Sequence, residues 1–87
     1  MPVRATRINP VDNVAIVTAD VSEGELVRVD GGIELRSTEA VPRGGKIALS
    51  PIPAGKAVLR YGEEIGVALT DIAAGQHVHT HNLGGGK

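Results

Sequence analysis

The chain has 87 residues, 9 Lys and Arg against 10 Asp and Glu, a net charge of −1, no Cys, no Phe, no Trp and a single Tyr. That length holds one domain, offers no disulfide framework or thiolate metal site, and lacks both the basic footprint and the aromatic surface of a nucleic-acid module. The first residues, MPVRATRINP, carry no apolar signal-peptide core and no run approaches the roughly 18 apolar residues of a membrane span, so the expectation is a cytoplasmic protein with no membrane contact.

Twelve glycines and five prolines interrupt every helical window, and the elements read instead as short strands. The first is NVAIVTA (13–19), where Val14, Ile16, Val17 and Thr18 favour a strand over the short helix that Asn9 or Asp12 could cap. ELVRV and IELRS then flank Asp30-Gly31-Gly32, a hairpin signal. KIALS, AVLRYG and EIGVALT follow, with a tight reversal at Tyr61-Gly62 and Glu63-Glu64 at its tip. Tyr61 is expected to pack on the core with its hydroxyl at the surface. HVHTHN (77–82) closes the series, and GGGK after Leu83 reads as a flexible end, giving a domain over 1–83 and a tail over 84–87. About seven short strands and at most one short helix predict a mainly β domain, barrel-like or sandwich-like, with a core of Val, Ile, Leu and Ala.

ADVSEGELV, EAVPRGGKIAL, SPIPAGKAVLRY and TDIAAGQHVHTH share one template. Each sets an apolar residue, then small or polar residues, then a glycine (Gly24, Gly44, Gly55, Gly75), with a strand following. A turn that needs positive φ at its glycine explains the pattern. By the same template HVHTHN is a strand, with His77, His79 and His81 on one face.

Same-face neighbours on a strand stand roughly 7 Å apart, close enough for two imidazoles to converge on one metal. His77 and His81 would be about 13 Å apart, so a pair plus a ligand from elsewhere is the arrangement a strand permits. Zinc or iron suits imidazole with oxygen donors. The alternative is an exposed polar strand face with no ligand. Lys46, Lys56 and Arg60 form either a cationic rim for a carboxylate or ordinary solvated charge. Neither Glu63 nor Glu64 has a visible acid–base partner, and Gly44-Gly45-Lys46 lacks the spacing of a phosphate loop.

Taken in order, DNVAIVTADVSEG (12–24), VPRGGKIALSPIPAGKAVLRYGEEIGVALTDIAAG (41–75) and HVHTHNL (77–83) resemble the N-terminal domain of the altronate and galactarate dehydratase family. They also resemble the small subunit of sulfolactate sulfo-lyase. The resemblance covers roughly residues 8–83 and implies a SAF-type domain with a β-clip fold. It implies a part in eliminating water or sulfite from a hydroxylated or sulfonated acid, dependent on a divalent metal such as iron. His77, His79, His81 and Asn82 match the family's terminal motif and Tyr61-Gly62 its YG motif.

On that basis His79 and His81 are expected to be catalytic. Asn82, Lys46, Arg60 and Tyr61 are expected to bind substrate, and His77, His79 and His81 to bind metal. The family places a larger catalytic domain after the HN segment, so the implied partners are a separate large catalytic subunit and a small carboxylic acid. A homo-oligomer is left open. The chain departs from the family at Gly45, where a histidine is usual, at Arg60, where a lysine is usual, and at Ile8-Asn9, where IH is often found. Two rival readings are a non-catalytic SAF-type binding or assembly module and a free-standing metal- or anion-binding domain.

Overall fold

Nine short strands carry the fold in a computed structural model that describes residues 2–85. They are β1 (Val3–Thr6), β2 (Val14–Val17), β3 (Leu26–Val29), β4 (Ile33–Arg36), β5 (Lys46–Ala48), β6 (Ala57–Arg60), β7 (Glu63–Ala68), β8 (His77–Val78) and β9 (Leu83–Gly84). No helix occurs among the described residues, hence none long and apolar enough to cross a membrane. The mainly β expectation holds.

Four turns of one geometry organise the strands. The N–H groups of Glu25, Gly45, Lys56 and Gln76 donate to the carbonyls of Ser22, Pro42, Pro53 and Ala73, three residues back. The third residue of each turn is the template glycine, at φ from +83° to +88°, which an L side chain rarely tolerates. A strand then starts two residues later every time: β3, β5, β6 and β8. The turns also pair two by two. Val21 bridges Val41 and Ile52 bridges Ile72. Asp20 accepts from the Arg43 N–H at 2.8 Å, and Asp71 accepts from the Ala54 N–H at 2.9 Å. Glu25 and Gln76 fold back on their own turns, accepting from the N–H groups of Ser22 and Ala73.

The strands form a six-stranded sheet, β4-β3-β1-β2-β5-β8, and a three-stranded sheet, β6-β7-β9. Among the described residues only β1 and β3 pair in parallel. Alternation sends neighbouring residues of the central strands to opposite faces. Val14 and Ala48 join one buried cluster with Val58, Ile72 and Val78, while Ala15, Val17 and Ile47 join another with Val27 and Val41. The core is Val, Ile and Ala as expected, but no leucine is among its buried members.

Three expectations need correction. The strand at HVHTHN ends at Val78, and residues 79–82 form a turn. Gly84, expected in a flexible tail, pairs with Val67 in β9, because β7 leaves an edge to be filled; residues 86 and 87 lie outside the described residues. Tyr61 is 52% exposed rather than packed on the core, since the β6–β7 turn puts it at φ +57° and turns its ring outward.

The two sheets are joined by a pair of consecutive side chains. Buried Asp12 accepts from the N–H groups of Tyr61 at 2.9 Å and Gly62 at 2.8 Å, and from Asn9 at 3.1 Å. Asn13 accepts from the Leu59 N–H at 2.8 Å and donates to the Ala57 carbonyl at 3.0 Å, so one side-chain amide satisfies the free edge of β6. Burial alone would raise the Asp12 pKa. The N–H groups of Gly62, Tyr61 and Asn9, helped by the Arg7 charge, outweigh it and hold the pKa below the usual 3.8.

Stability from the Asp12 carboxylate should therefore be complete above about pH 4 and drain away as pH falls through its lower folded value. Acid unfolding followed by circular dichroism should show this limb, and Asp12→Asn should flatten it. Asn13→Ala should lower the unfolding free energy in urea by about 1–3 kcal/mol, because it strands a β6 N–H. Val78→Ala should cost a similar amount, about 1–3 kcal/mol, by opening the core.

Candidate functional site

His77 sits on β8 opposite Ile47 of β5, and its backbone N–H is taken by the Glu39 carboxylate at 3.1 Å. The chain then turns back. Asn82, 2% exposed, accepts from the His79 N–H at 2.9 Å and donates to the His77 carbonyl at 2.8 Å. The N–H groups of Asn82 and Leu83 both donate to the His79 carbonyl. An Asn side chain that bonds its own backbone competes with strand pairing, and here it wins.

The turn brings together all three imidazoles that an extended strand would keep apart. His79 stacks on His77 with ring centroids 5.4 Å apart and planes 8° apart, and His81 lies 5.8 Å from His77 at 51°. Imidazole lone pairs lie in the ring plane, so two nearly parallel stacked rings do not aim at one point. No group of three His, Asp or Glu side chains among the described residues is arranged to hold a metal ion. The iron site implied by the resemblance is therefore not assembled from His77, His79 and His81 alone.

What the fold does build is a cleft of about 290 Å³, lined in part by Arg43, Gly45, Lys46, His77 and His79. Gly45 matters here for what it lacks: a Cβ would stand 2.8 Å from the Pro42 carbonyl and 3.2 Å from His77 Nε2. Burial pushes the His77 pKa below 6.5; His79, His81 and Lys46 push the same way, and the Glu39 charge opposes them. The Lys46 pKa is also lowered, first by burial and then by Arg60. The cleft thus joins an imidazole that is mainly neutral at pH 7 to two cationic side chains. It can hold an anion and take a proton from it.

The expected site residues divide. Lys46, His77 and His79 line the cleft, while His81 is exposed and meets the site through the His77 ring. Arg60 and Tyr61 do not line it; the Arg60 guanidinium stands over the Tyr61 ring at 5.1 Å. Asn82, expected to bind substrate, has both ends of its buried amide engaged in the turn. Sequence reasoning missed Arg43 and Glu39. Arg43 could have been found from the template, because it precedes the turn glycine beside Lys46, but nothing local marks Glu39.

A family model described as the altronate/galactarate dehydratase SAF domain matches residues 3–85. The chain belongs to this family. Altronate dehydratase of Escherichia coli (strain K12) is 51% identical over 77 residues, which cover 87% of this chain and 15% of that one. Galactarate dehydratase (L-threo-forming) of the same organism is 39% identical over 72 residues, 83% of this chain and 13% of that one. The (2R)-sulfolactate sulfo-lyase subunit alpha of Paracoccus pantotrophus is 36% identical over 69 residues, 79% of this chain and 90% of that one. This SAF domain therefore spans about 15% of the length of the dehydratases it matches and most of one sulfo-lyase subunit. It is a SAF domain of a lyase-associated family, and its sulfo-lyase relatives are, by name, parts of multi-subunit enzymes.

An imidazole pKa lowered by burial has a signed consequence. His77 contributes stability above 6.5, the usual value, and loses it as pH falls below 6.5, because the unfolded chain then binds the proton more tightly. Imidazole ¹⁵N resonances followed against pH should place His77 below 6.5, and the urea midpoint should drop on acidification through that value. His77→Gln should remove this part of the drop.

Proposed function

We propose that this SAF domain is the small subunit or accessory domain of a cytoplasmic carbon–oxygen or carbon–sulfur lyase. Its substrate is a hydroxylated sugar acid or sulfolactate, and a large catalytic chain completes the site. The cleft that sets neutral His77 beside Lys46 and Arg43 carries this reading. Elimination takes a proton from the carbon next to a carboxylate and releases hydroxide or sulfite from the neighbouring carbon. Lys46 and Arg43 suit the carboxylate and the charge that spreads onto it. A neutral imidazole suits the proton, with exposed His79 stacked on His77 to meet substrate and exposed His81 next to the His77 ring. The sulfo-lyase match, which covers nearly all of a separately named subunit, supports a split enzyme. A pure assembly module would have no use for a neutral imidazole among cations.

Acid, base and leaving-group assistance exceed what one open cleft supplies. The purified domain alone should therefore turn over none of altronate, galactarate or sulfolactate, as read by product formation. Reconstituted with a dehydratase-type large chain, His79→Ala should lower kcat by about 10²-fold with subunit binding retained. Full activity for both His77→Ala and His79→Ala would sink the proposal.

A further inference from the structure

Four large apolar side chains stay exposed among the described residues: Ile8, Val11, Tyr61 and Leu69. Three of them gather at one place. The Asp12 carboxylate takes the N–H groups of Asn9, Tyr61 and Gly62, so the loop before β2 and the β6–β7 turn are tied to one buried side chain. Tyr61 is bonded to that carboxylate directly, Val11 adjoins Asp12 in the chain, and Ile8 adjoins Asn9. The two loops also touch, because a Cβ at Gly62 would stand 2.6 Å from Asn9 Nδ2.

Hydrogen bonds fix this exposure in place. Asn9 closes its own turn, accepting from the Val11 N–H at 3.1 Å through its side chain and from the Asp12 N–H at 2.9 Å through its carbonyl. Pro10 stiffens the tip between them. Tyr61 is held at φ +57°, a conformation that L side chains rarely adopt, and burial does not offset the strain, because the residue is 52% exposed. Apolar groups presented outward by a strained, hydrogen-bonded frame mark an interaction surface.

We propose that Ile8, Val11 and Tyr61 are the anchor at which the large lyase chain docks, an inference that rests on the two-part enzyme described above. Tyr61 does not line the cleft and meets the partner chain in place of substrate. Three side chains fall far short of the roughly 800 Å² per partner that a free-standing dimer needs, so a second copy of this chain is not the occupant they suit. They suit a surface that also covers the cleft. Asp12 stands just before β2, and Ile16 of β2 pairs with Lys46 of the cleft wall. Four residues of strand span about 13 Å, whereas an interface of about 800 Å² per side is about 30 Å across. A chain that closes the cleft therefore reaches the patch. In the altronate dehydratases the matched part is 15% of the chain, and a covalently joined partner needs few contacts of its own, because the tether keeps its local concentration high. The matching surface is an apolar hollow that receives the Tyr61 ring and offers its hydroxyl an acceptor.

The test is a titration of the methyl-labelled chain with the dehydratase-type large chain of the reconstitution, read by NMR and by the dissociation constant. The Ile8 and Val11 methyl resonances should shift on binding. Ile8→Ser, Val11→Ser and Tyr61→Ser should each weaken binding at least about tenfold. Leu69→Ser, an equally exposed residue at the other end of β7, should not. With the large chain at saturation, Ile8→Ser and Val11→Ser should recover the wild-type kcat, which separates docking from chemistry. Amide spectra of each variant check folding; should Tyr61→Ser unfold, the two loop variants carry the comparison. Tight binding that none of the patch variants weakens overturns the anchor and leaves the lyase reading standing. Absence of any binding by the wild-type chain overturns both. A dimer of this chain in sedimentation equilibrium that Val11→Ser dissolves would give the patch to a second copy and overturn the large chain as its occupant.

Discussion

The fold depends on two adjacent polar side chains that hold one sheet against the other. Asp12 and Asn13 stand immediately before β2, a central strand of the six-stranded sheet, yet all but one of their five side-chain hydrogen bonds go to β6 and its turn in the three-stranded sheet. A core of Val, Ile and Ala is non-directional and would tolerate some sliding of one sheet over the other. The clamp is directional. It fixes β6 relative to β2 and hence to β5, which β2 pairs. It therefore sets where Arg60 lies relative to Lys46.

Local chemistry was legible in the sequence, and non-local pairing was not. The four glycine turns could be read because positive φ is a demand that one residue meets alone, and each placed the start of a strand. The Asp30-Gly31-Gly32 reversal between β3 and β4 was legible for the same reason. β1 and β9 were missed because their few residues gain meaning only from distant partners, β3 for one and β7 for the other. A lone VRAT or LG has no periodicity to betray it.

The candidate site shows the same division more sharply. The histidine spacing alternates as a strand should, and the first two residues of the motif do form one. Asn82 then ends it by taking the His79 N–H and reaching back to the His77 carbonyl. A residue expected to bind substrate is thus the one that shapes the motif. Of the residues the resemblance named, Lys46, His77 and His79 come together at one cleft, and the histidines do not form a flat row. His77 resists protonation in its partly buried, cationic setting, first through burial and then through the neighbouring His79 ring stacked on it.

The position directly after each turn glycine is occupied in turn by Glu25, Gly45, Lys56 and Gln76. At Glu25 and Gln76 the side chain folds back and closes its own turn. At Gly45 there is no side chain to do so, and that is where the cleft opens beside His77. The hollow is therefore a subtraction from a repeated pattern rather than an addition to it. A fold built this way can open a binding pocket by leaving one position after a turn without a side chain, and here the turn has closed up around the gap, so that a Cβ restored at Gly45 would press on the Pro42 carbonyl.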